Sequence, residues 1–240
     1  MAEPVTVVLL YPELLGTYGD GGNALVLAQR LRWRGHRAEI VEITVGEPVP
    51  DSGHLYLMGG GEDGPQALAA RELLASGALH RAVDGGAALL AVCAGFQIVG
   101  RHFPGPGGEV HEGLALLDCT TARGTGRRRV GEVVVEPDPS TGLPPLTGYE
   151  NHQGVTALGP SVRPLGRVAV GKGNDTGGGT EGALTGRALG TYLHGPVLAR
   201  NPALADHLLA SVMGPLEPLD DGEADVLRSE RLAAARRERR

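Results

Sequence analysis

Cys93 stands where a run of small and branched apolar residues ends, in the stretch AALLAVCAGFQIVG (87–100). A free cysteine is most often a small buried hydrophobe, but at a turn from a strand into a helix it can serve as a nucleophile. A nucleophilic thiol needs a base, and His194 is the candidate because it ends the apolar run ALGTYLH. Together these two residues indicate covalent catalysis by a thiol–imidazole pair.

Backbone donors for a negatively charged intermediate are the second requirement of such chemistry. The triple glycine at 59–61 ends the apolar run HLYLM, and glycines allow backbone N–H groups to approach a substrate closely. We predict an oxyanion hole formed by the amides of Gly60 and Ala94. A lone histidine is more often a core residue and three glycines are more often a flexible turn, so the hypothesis depends on their combination.

Buried strands and intervening helices must bring these residues together. The strand-like runs are 5–11, 38–46, 54–61 and 87–92, and the helical segments are 23–35 and 64–86. This alternation predicts an α/β domain, a three-layer sandwich with a mostly parallel central sheet. Parallel strands place their carboxyl ends at one edge of the sheet, where ligands bind. Cys93, His194 and the triple glycine each follow such a strand.

The second half of the chain contains short strand-like runs separated by turns. We expect these to extend the same sheet and to add antiparallel strands. A helix over 201–214, with Asn201 as its cap, closes a predicted domain at 1–214. The remaining segment, 215–240, is acidic first and then arginine-rich. Its charge predicts a solvated or frayed tail, with contact to a partner as the alternative.

Composition limits the classes of function. The net charge of −6 argues against a bulk nucleic-acid partner, and two cysteines do not form a disulfide framework in 240 residues. No basic leader precedes TVVLLY, and no apolar run approaches the ~20 residues of a membrane span. We expect a cytoplasmic protein without a direct membrane span, and we predict no metal ligands.

Residues 5–213 resemble the class I glutamine amidotransferase domain. The stretch AVCAGFQ matches that family's G-x-C-x-G-x-Q turn, with Ala91 in place of the first glycine, and MGGGED and YLHG match its other motifs. The form YLHGP is similar to the cobyric-acid-synthase-like branch. Within that branch, LYPELLGTYGDGGNALVLAQRLRWRG, GGGEDGPQ and GYENHQG resemble the GatD-type subunits of lipid II isoglutaminyl synthase. The resemblance implies a flavodoxin-like glutamine amidotransferase domain over 1–214.

Substrate-binding residues follow from the same resemblance. Gln97 matches a position that contacts the substrate glutamine, and Arg128 in GRRRVGE aligns with a glutamine-binding arginine. A guanidinium suits the α-carboxylate because it can donate two parallel hydrogen bonds. Gly61 and Asn151 are expected to line the same site. His152 is a rival to His194 as the catalytic base.

The third catalytic group is left open by the sequence. Many class I enzymes have a glutamate two positions after the histidine, but Pro196 occupies that position here. A carboxylate elsewhere in this chain could replace it, and Glu150 and Asp63 are candidates because they lie near the motifs. We favour the other possibility, in which a partner subunit supplies the acid.

The implied activity is hydrolysis of L-glutamine. Its ammonia is expected to pass to a Mur-ligase-like synthetase subunit, in a heterodimer that amidates the D-glutamate α-carboxylate of lipid II to D-isoglutamine for peptidoglycan. This chain has no G-x-x-x-x-G-K-[ST] loop, so we expect ATP and Mg on the partner and no cofactor on this chain. The complex is expected to act at the inner face of the membrane, with lipid II bound through the partner.

Three alternatives stay open. The chain could be the glutaminase of another ATP-dependent amidase, of the cobyric-acid-synthase-like kind. It could be a catalytically silent α/β regulatory subunit, although intact Cys93 and His194 argue against that reading. It could also be a γ-glutamyl-type cysteine hydrolase that needs no partner.

Overall fold

Strands and helices alternate over the first hundred residues and give way to strands afterwards, in a computed structural model that describes residues 3–238. The strands are β1 (Val5–Leu10), β2 (Ala38–Ile43), β3 (Leu55–Met58), β4 (Ala88–Val92), β5 (His102–Pro104), β6 (Val110–Glu112), β7 (Cys119–Arg123), β8 (Arg129–Pro137), β9 (Leu146–His152), β10 (Gly154–Leu158), β11 (Gly166–Val170), β12 (Thr180–Glu181), β13 (Ala183–Thr185) and β14 (Ala188–Thr191). The helices are α1 (Pro12–Leu15), α2 (Gly22–Trp33), α3 (Asp63–Ser76), α4 (Ala78–Asp84), α5 (Ala94–Val99), α6 (Val197–Arg200), α7 (Pro202–Met213) and α8 (Gly222–Glu238).

The central sheet has the strand order β13-β14-β4-β3-β1-β2. Neighbouring strands run parallel, apart from the antiparallel β13–β14 pair. Strand β4 is buried along its whole length, as expected for a parallel strand that is covered on both faces. The predicted α/β class with a mostly parallel sheet is confirmed.

Helices cover both faces of this sheet. From β1 through α2 to β2 the chain moves toward the β2 edge of the sheet. From β3 through α3 and α4 to β4 it moves toward the opposite edge. Because such crossovers are right-handed, the two sets of helices lie on opposite faces. Consistently, α2, α6 and α7 contact one another, whereas α3 contacts α1, α4 and α5. The result is the predicted three-layer sandwich.

The direction of the chain reverses between β1 and β3, which are neighbours in the sheet. The loops that follow these two strands therefore diverge to opposite faces and leave a crevice at their carboxyl ends. The loop after β1 includes residues 16–21, and the loop after β3 includes the triple glycine. This crevice is where a parallel sheet of this topology binds its ligand.

Most strands of the second half do not extend the central sheet, contrary to our expectation. Two further four-stranded sheets form, with orders β10-β7-β5-β6 and β12-β11-β8-β9, and only β13 and β14 join the central sheet. Strands β8 and β9 pair antiparallel from Arg129 opposite His152 to Val135 opposite Leu146. Short connections favour such antiparallel neighbours over return to a parallel sheet.

The segment after Gly214 is not the frayed tail that its charge predicted. Helix α8 packs on β8, where Leu232 and Ala235 bury their side chains against Val134. Removal of this apolar surface from water stabilises the docked helix. Residues 239 and 240 of the predicted tail lie outside the described residues.

A buried arginine connects three separate parts of the chain. Arg30 in α2 donates hydrogen bonds to both carboxylate oxygens of Asp206 in α7, each at 2.7 Å. It also donates to Asp221, directly before α8, at 2.7 and 2.8 Å. Burial by itself raises the pKa of Asp206, but hydrogen bonds from Arg30 and Arg34 outweigh that effect and lower it.

Replacement of Arg30 should therefore destabilise the fold. We expect Arg30→Ala to lower the free energy of unfolding by about 3 kcal/mol, because partly buried Asp221 loses its arginine partner and Asp206 keeps only Arg34. Urea unfolding at neutral pH measures this change. Since the pKa of Asp206 is lowered, its contribution is present above about pH 4 and is lost as the pH falls further, so the difference should shrink in acid.

The neighbouring Arg32 offers a matched control. Its side chain is exposed and, within residues 3–238, donates only to the Ala38 carbonyl, so Arg32→Ala should change stability by less than about 0.5 kcal/mol. Equal effects of the two substitutions would contradict a structural role for the Arg30 cluster.

Candidate active site

Cys93 lies on a sharp turn between β4 and α5. Its backbone has φ 53° and ψ −103°, a conformation that non-glycine residues rarely adopt. Two hydrogen bonds hold this turn: the Cys93 amide donates to the Thr191 carbonyl at 2.8 Å, and the Gly95 amide donates to the Gly59 carbonyl at 3.1 Å. A Cβ atom on Gly95 would lie 2.8 Å from the Cβ atom of Met58, so glycine is required for this close approach. The turn presents the thiol at the carboxyl end of the sheet.

His194 follows β14 and is almost fully buried. Its Nδ1 atom lies 2.9 Å from Oδ2 of Asp20, in the loop after β1. Among the described residues, its Nε2 atom makes no hydrogen bond of normal geometry, although Cys93 is close enough to act on the ring electrostatically. The imidazole therefore stands between a carboxylate and a thiol, as in a catalytic triad.

The protonation of His194 reflects these neighbours. Burial by itself lowers its pKa, but the hydrogen bond with Asp20 and the interaction with Cys93 outweigh burial and raise the pKa to about 10. The imidazolium is thus the favoured form at neutral pH. A cationic imidazole beside a cysteine suits a thiolate–imidazolium pair, which is the reactive form of such sites.

The carboxylate on His194 comes from this chain, contrary to our preference for a partner subunit. Neither candidate that we named supplies it. Glu150 accepts hydrogen bonds from the amides of Lys172 and Gly173, and Asp63 forms a surface ion pair with Arg123 at 2.9 Å.

The only sequence signal for Asp20 was indirect, because it requires the topology of the sheet. Asp20 lies in the YGDGGN string after the first strand, and that strand borders the point where the sheet changes direction. The loop after β1 was therefore placed to reach the end of β14.

Gly60, which we predicted as an oxyanion donor, is already engaged. Its amide donates to Oδ2 of Asp20 at 2.9 Å. A Cβ atom at this position would lie 2.7 Å from Cε1 of His194, which explains the need for glycine. In the described part of the chain, the amides of Gly61 and Ala94 donate no hydrogen bond, and both residues line the cavity at Cys93. Gly61 and Ala94 therefore suit the oxyanion hole.

A cavity of about 140 Å³ opens beside Cys93. Of the substrate-binding residues that we predicted, Gly61, Gln97 and Arg128 line it. Asn151 does not line it and acts behind Arg128, with its side-chain oxygen accepting from Nε at 2.5 Å and its carbonyl accepting from Nη2 at 3.1 Å. A larger groove of about 730 Å³ lies over β8 and β11 and does not include Cys93.

The three consecutive arginines have different surroundings. Arg129 pairs with Asp175 at 2.5 Å, and Arg127 is exposed. Only Arg128 of the three lines the cavity at Cys93. The geometry thus singles out the arginine that the resemblance indicated.

The remaining histidine and cysteine near the site have other surroundings. His152 stacks on Tyr192 with ring centroids 3.8 Å apart, and its Nδ1 atom contacts the Gly154 carbonyl at 2.9 Å. It lines the cavity, but it does not contact Asp20 as His194 does. Cys119 is buried in β7, and burial raises the pKa of its thiol to about 12. Cys119 is therefore a core residue.

The described residues contain neither a metal-binding cluster nor a membrane-spanning helix. No group of three or more histidine, cysteine or acidic side chains is arranged to hold a metal ion. No helix within residues 3–238 is both long enough and apolar enough to cross a bilayer.

Comparison with known structures supports the fold. A solved glutamine amidotransferase structure superposes with a TM-score of 0.59 at 21% identity, covering 87% of this chain and 98% of that chain. A second one, from Thermotoga maritima, gives a TM-score of 0.52 at 15% identity over 98% of this chain and 93% of the other. At such identities the likeness establishes the architecture alone.

Comparison with related sequences identifies the family as well as the architecture. Residues 6–202 match the CobB/CobQ-like glutamine amidotransferase domain. The GatD subunit of lipid II isoglutaminyl synthase (glutamine-hydrolyzing) from Staphylococcus aureus is 35% identical over 92% of each chain, and that from Streptococcus pneumoniae is 30% identical over 87% of this chain and 80% of its own. Cobyric acid synthase from Sphingopyxis alaskensis is 32% identical over 72% of this chain but only 35% of its own length. The chain therefore belongs to the CobB/CobQ-like glutamine amidotransferases and, within them, to the GatD family.

Proposed function

We propose that this chain is the glutamine-hydrolysing subunit of a lipid II isoglutaminyl synthase. The observation that carries the proposal is the Cys93–His194–Asp20 arrangement, which lies in a chain that aligns over most of its length with relatives of that name. The relatives named as cobyric acid synthases align over only 23% to 35% of their own length, which makes a cobalamin-pathway role the weaker candidate.

Hydrolysis would begin with attack of the Cys93 thiolate on the carboxamide carbon of glutamine. The amides of Gly61 and Ala94 stabilise the oxyanion of the tetrahedral intermediate. As the C–N bond breaks, the His194 imidazolium donates its proton to the departing nitrogen, and ammonia leaves a γ-glutamyl thioester. His194, now neutral, takes a proton from the water that attacks the thioester; the C–S bond then breaks, which releases glutamate and restores the thiolate–imidazolium pair. Asp20 orients the ring and stabilises its cationic form.

Substrate binding would centre on Arg128. Asn151 fixes the Nε–Nη2 edge of its guanidinium, and among the described residues Nη1 remains available for a carboxylate. Gln97 forms the adjacent wall, where its side chain accepts a hydrogen bond from Gln66 at 3.0 Å. These groups would select the α-carboxylate end of the substrate and place its carboxamide at Cys93.

The ammonia would be used by a synthetase subunit of the Mur-ligase type. We place ATP and Mg on that partner, because the thiol chemistry at Cys93 requires neither. The partner would bind lipid II and amidate its D-glutamate at the inner face of the membrane, with this chain in the cytoplasm. The relatives' designation as a subunit supports a two-chain enzyme.

Cys93→Ala tests the assignment of the nucleophile. In the complex with the synthetase, glutamine-dependent amidation should be lost, whereas amidation with an ammonium salt should survive, because Cys93 takes no part in carboxylate activation. The assay compares amidated lipid II from the two nitrogen sources. Retained glutamine-dependent amidation would remove Cys93 from the mechanism, and loss of both activities would indicate disrupted assembly.

Asp20→Asn tests the third member of the site. We expect glutamine hydrolysis to fall about 100-fold or more, because an amide stabilises the imidazolium less than a carboxylate does. Asp20 raises the pKa of His194, so the pKa of His194 should fall in the variant and the alkaline limb of the pH–rate profile should move to lower pH. Ammonia release by the isolated chain is the measurement, and wild-type chain should already hydrolyse glutamine without its partner. An unchanged rate and profile in the variant would contradict the role of Asp20.

Arg128→Ala tests the carboxylate site. We expect kcat/KM for glutamine to fall roughly tenfold or more, since a charge-assisted hydrogen-bond pair is lost. Arg127→Ala is the matched control, because this exposed neighbour does not line the cavity and should retain near wild-type kinetics. Similar small effects of both substitutions would mean that Arg128 is only part of a solvated loop.

A further inference from the structure

Tyr18 lies between the group that would bind substrate and the group that would catalyse its hydrolysis. Its ring packs on His194, with centroids 4.7 Å apart at an angle of 55°. Its hydroxyl accepts a hydrogen bond from Nη2 of Arg128 at 3.3 Å. The side chain is half-buried in the loop after β1, two residues before Asp20. None of the roles described above uses it.

The donors of Arg128 show what the Tyr18 hydroxyl is placed to do. Nε and Nη2 form one edge of the guanidinium, and Asn151 occupies that edge with its side-chain oxygen and its carbonyl. The second hydrogen of Nη2 goes to Tyr18. Within residues 3–238 Nη1 donates no hydrogen bond, so a carboxylate would bind to Nη1, on the side where the Tyr18 hydroxyl lies.

The hydroxyl of Tyr18 has an unused hydrogen. A phenol can accept and donate at the same time, and the contacts of Tyr18 within residues 3–238 use its oxygen only as an acceptor from Arg128. A carboxylate bound to Nη1 of Arg128 would provide the missing acceptor. Hydrogen bonds to ionised carboxylates are shorter and stronger than neutral ones.

We propose that Tyr18 is a second ligand of the substrate α-carboxylate, donating its O–H to the carboxylate that Arg128 binds. This inference rests on the proposed glutaminase function and adds a specificity-determining residue to it. Because the same ring packs on His194, the substrate contact is made by a side chain that also shields the imidazole from water. The site thereby favours amides that carry an α-carboxylate.

Tyr18→Phe separates the hydroxyl from the ring. The variant keeps the aromatic contact with His194, so kcat for glutamine should change by less than about twofold. The KM for glutamine should rise about tenfold, which is the loss expected for one hydrogen bond to a charged group. Tyr149→Phe is the matched control: Tyr149 is also half-buried, its hydroxyl makes no hydrogen bond among the described residues, and its KM should stay at the wild-type value.

The double variant Arg128→Ala/Tyr18→Phe tests whether the two residues hold the same group. Its KM should exceed that of Arg128→Ala by less than about twofold, because no carboxylate is then held beside the phenol. The proposal is overturned if Tyr18→Phe leaves KM unchanged, if it lowers kcat rather than raising KM, or if its effect is equally large without Arg128. Failure of the glutaminase proposal would look different, since wild-type chain would then release no ammonia from glutamine or Cys93→Ala would remain active.

Discussion

One carboxylate oxygen holds the site together. Oδ2 of Asp20 accepts a hydrogen bond from the Gly60 amide and also contacts Nδ1 of His194, each at 2.9 Å. It thereby joins the loops after β1 and β3 to the residue that follows β14. These segments come from distant parts of the chain and meet only because their strands end at one edge of a parallel sheet. The Asp20 carboxylate is buried, so it needs both the Gly60 amide and His194 as partners. A buried charge without partners would cost free energy of folding.

The nucleophile and the histidine could be found from sequence because their signals are local. The end of an apolar strand can be recognised in the sequence when a cysteine or histidine follows it. Because the strands are predicted to run parallel, their carboxyl ends are expected to lie at the same edge of the sheet. Asp20 was missed because its partner is far away in the chain and nothing in YGDGGN alone points to His194. Gly60 was assigned to the oxyanion hole for a related reason. The residue type does not show whether a backbone amide already donates a hydrogen bond within the protein. Residue type alone cannot show which of two adjacent glycines has a free amide.

The second half of the chain was the least predictable part of the fold. Its short strands have turn residues between them, but neither feature states which sheet a strand joins. The segment after Gly214 was misread because charge dominates its composition. Leu232 and Ala235 lie on one face of α8 and form a narrow apolar surface. The sequence does not show that this surface packs against Val134 of β8. Tertiary packing, rather than local propensity, decides such a helix.

The unusual backbone at Cys93 has a consequence for turnover. Two neighbouring strand ends, at Thr191 and Gly59, clamp the turn through main-chain hydrogen bonds that involve no substrate atom. The unfavourable torsion angles are therefore imposed once, when the protein folds, and are offset by the stability of the whole sheet. The thiol is therefore already oriented when glutamine binds. The binding free energy of glutamine remains available for distorting the amide toward tetrahedral geometry.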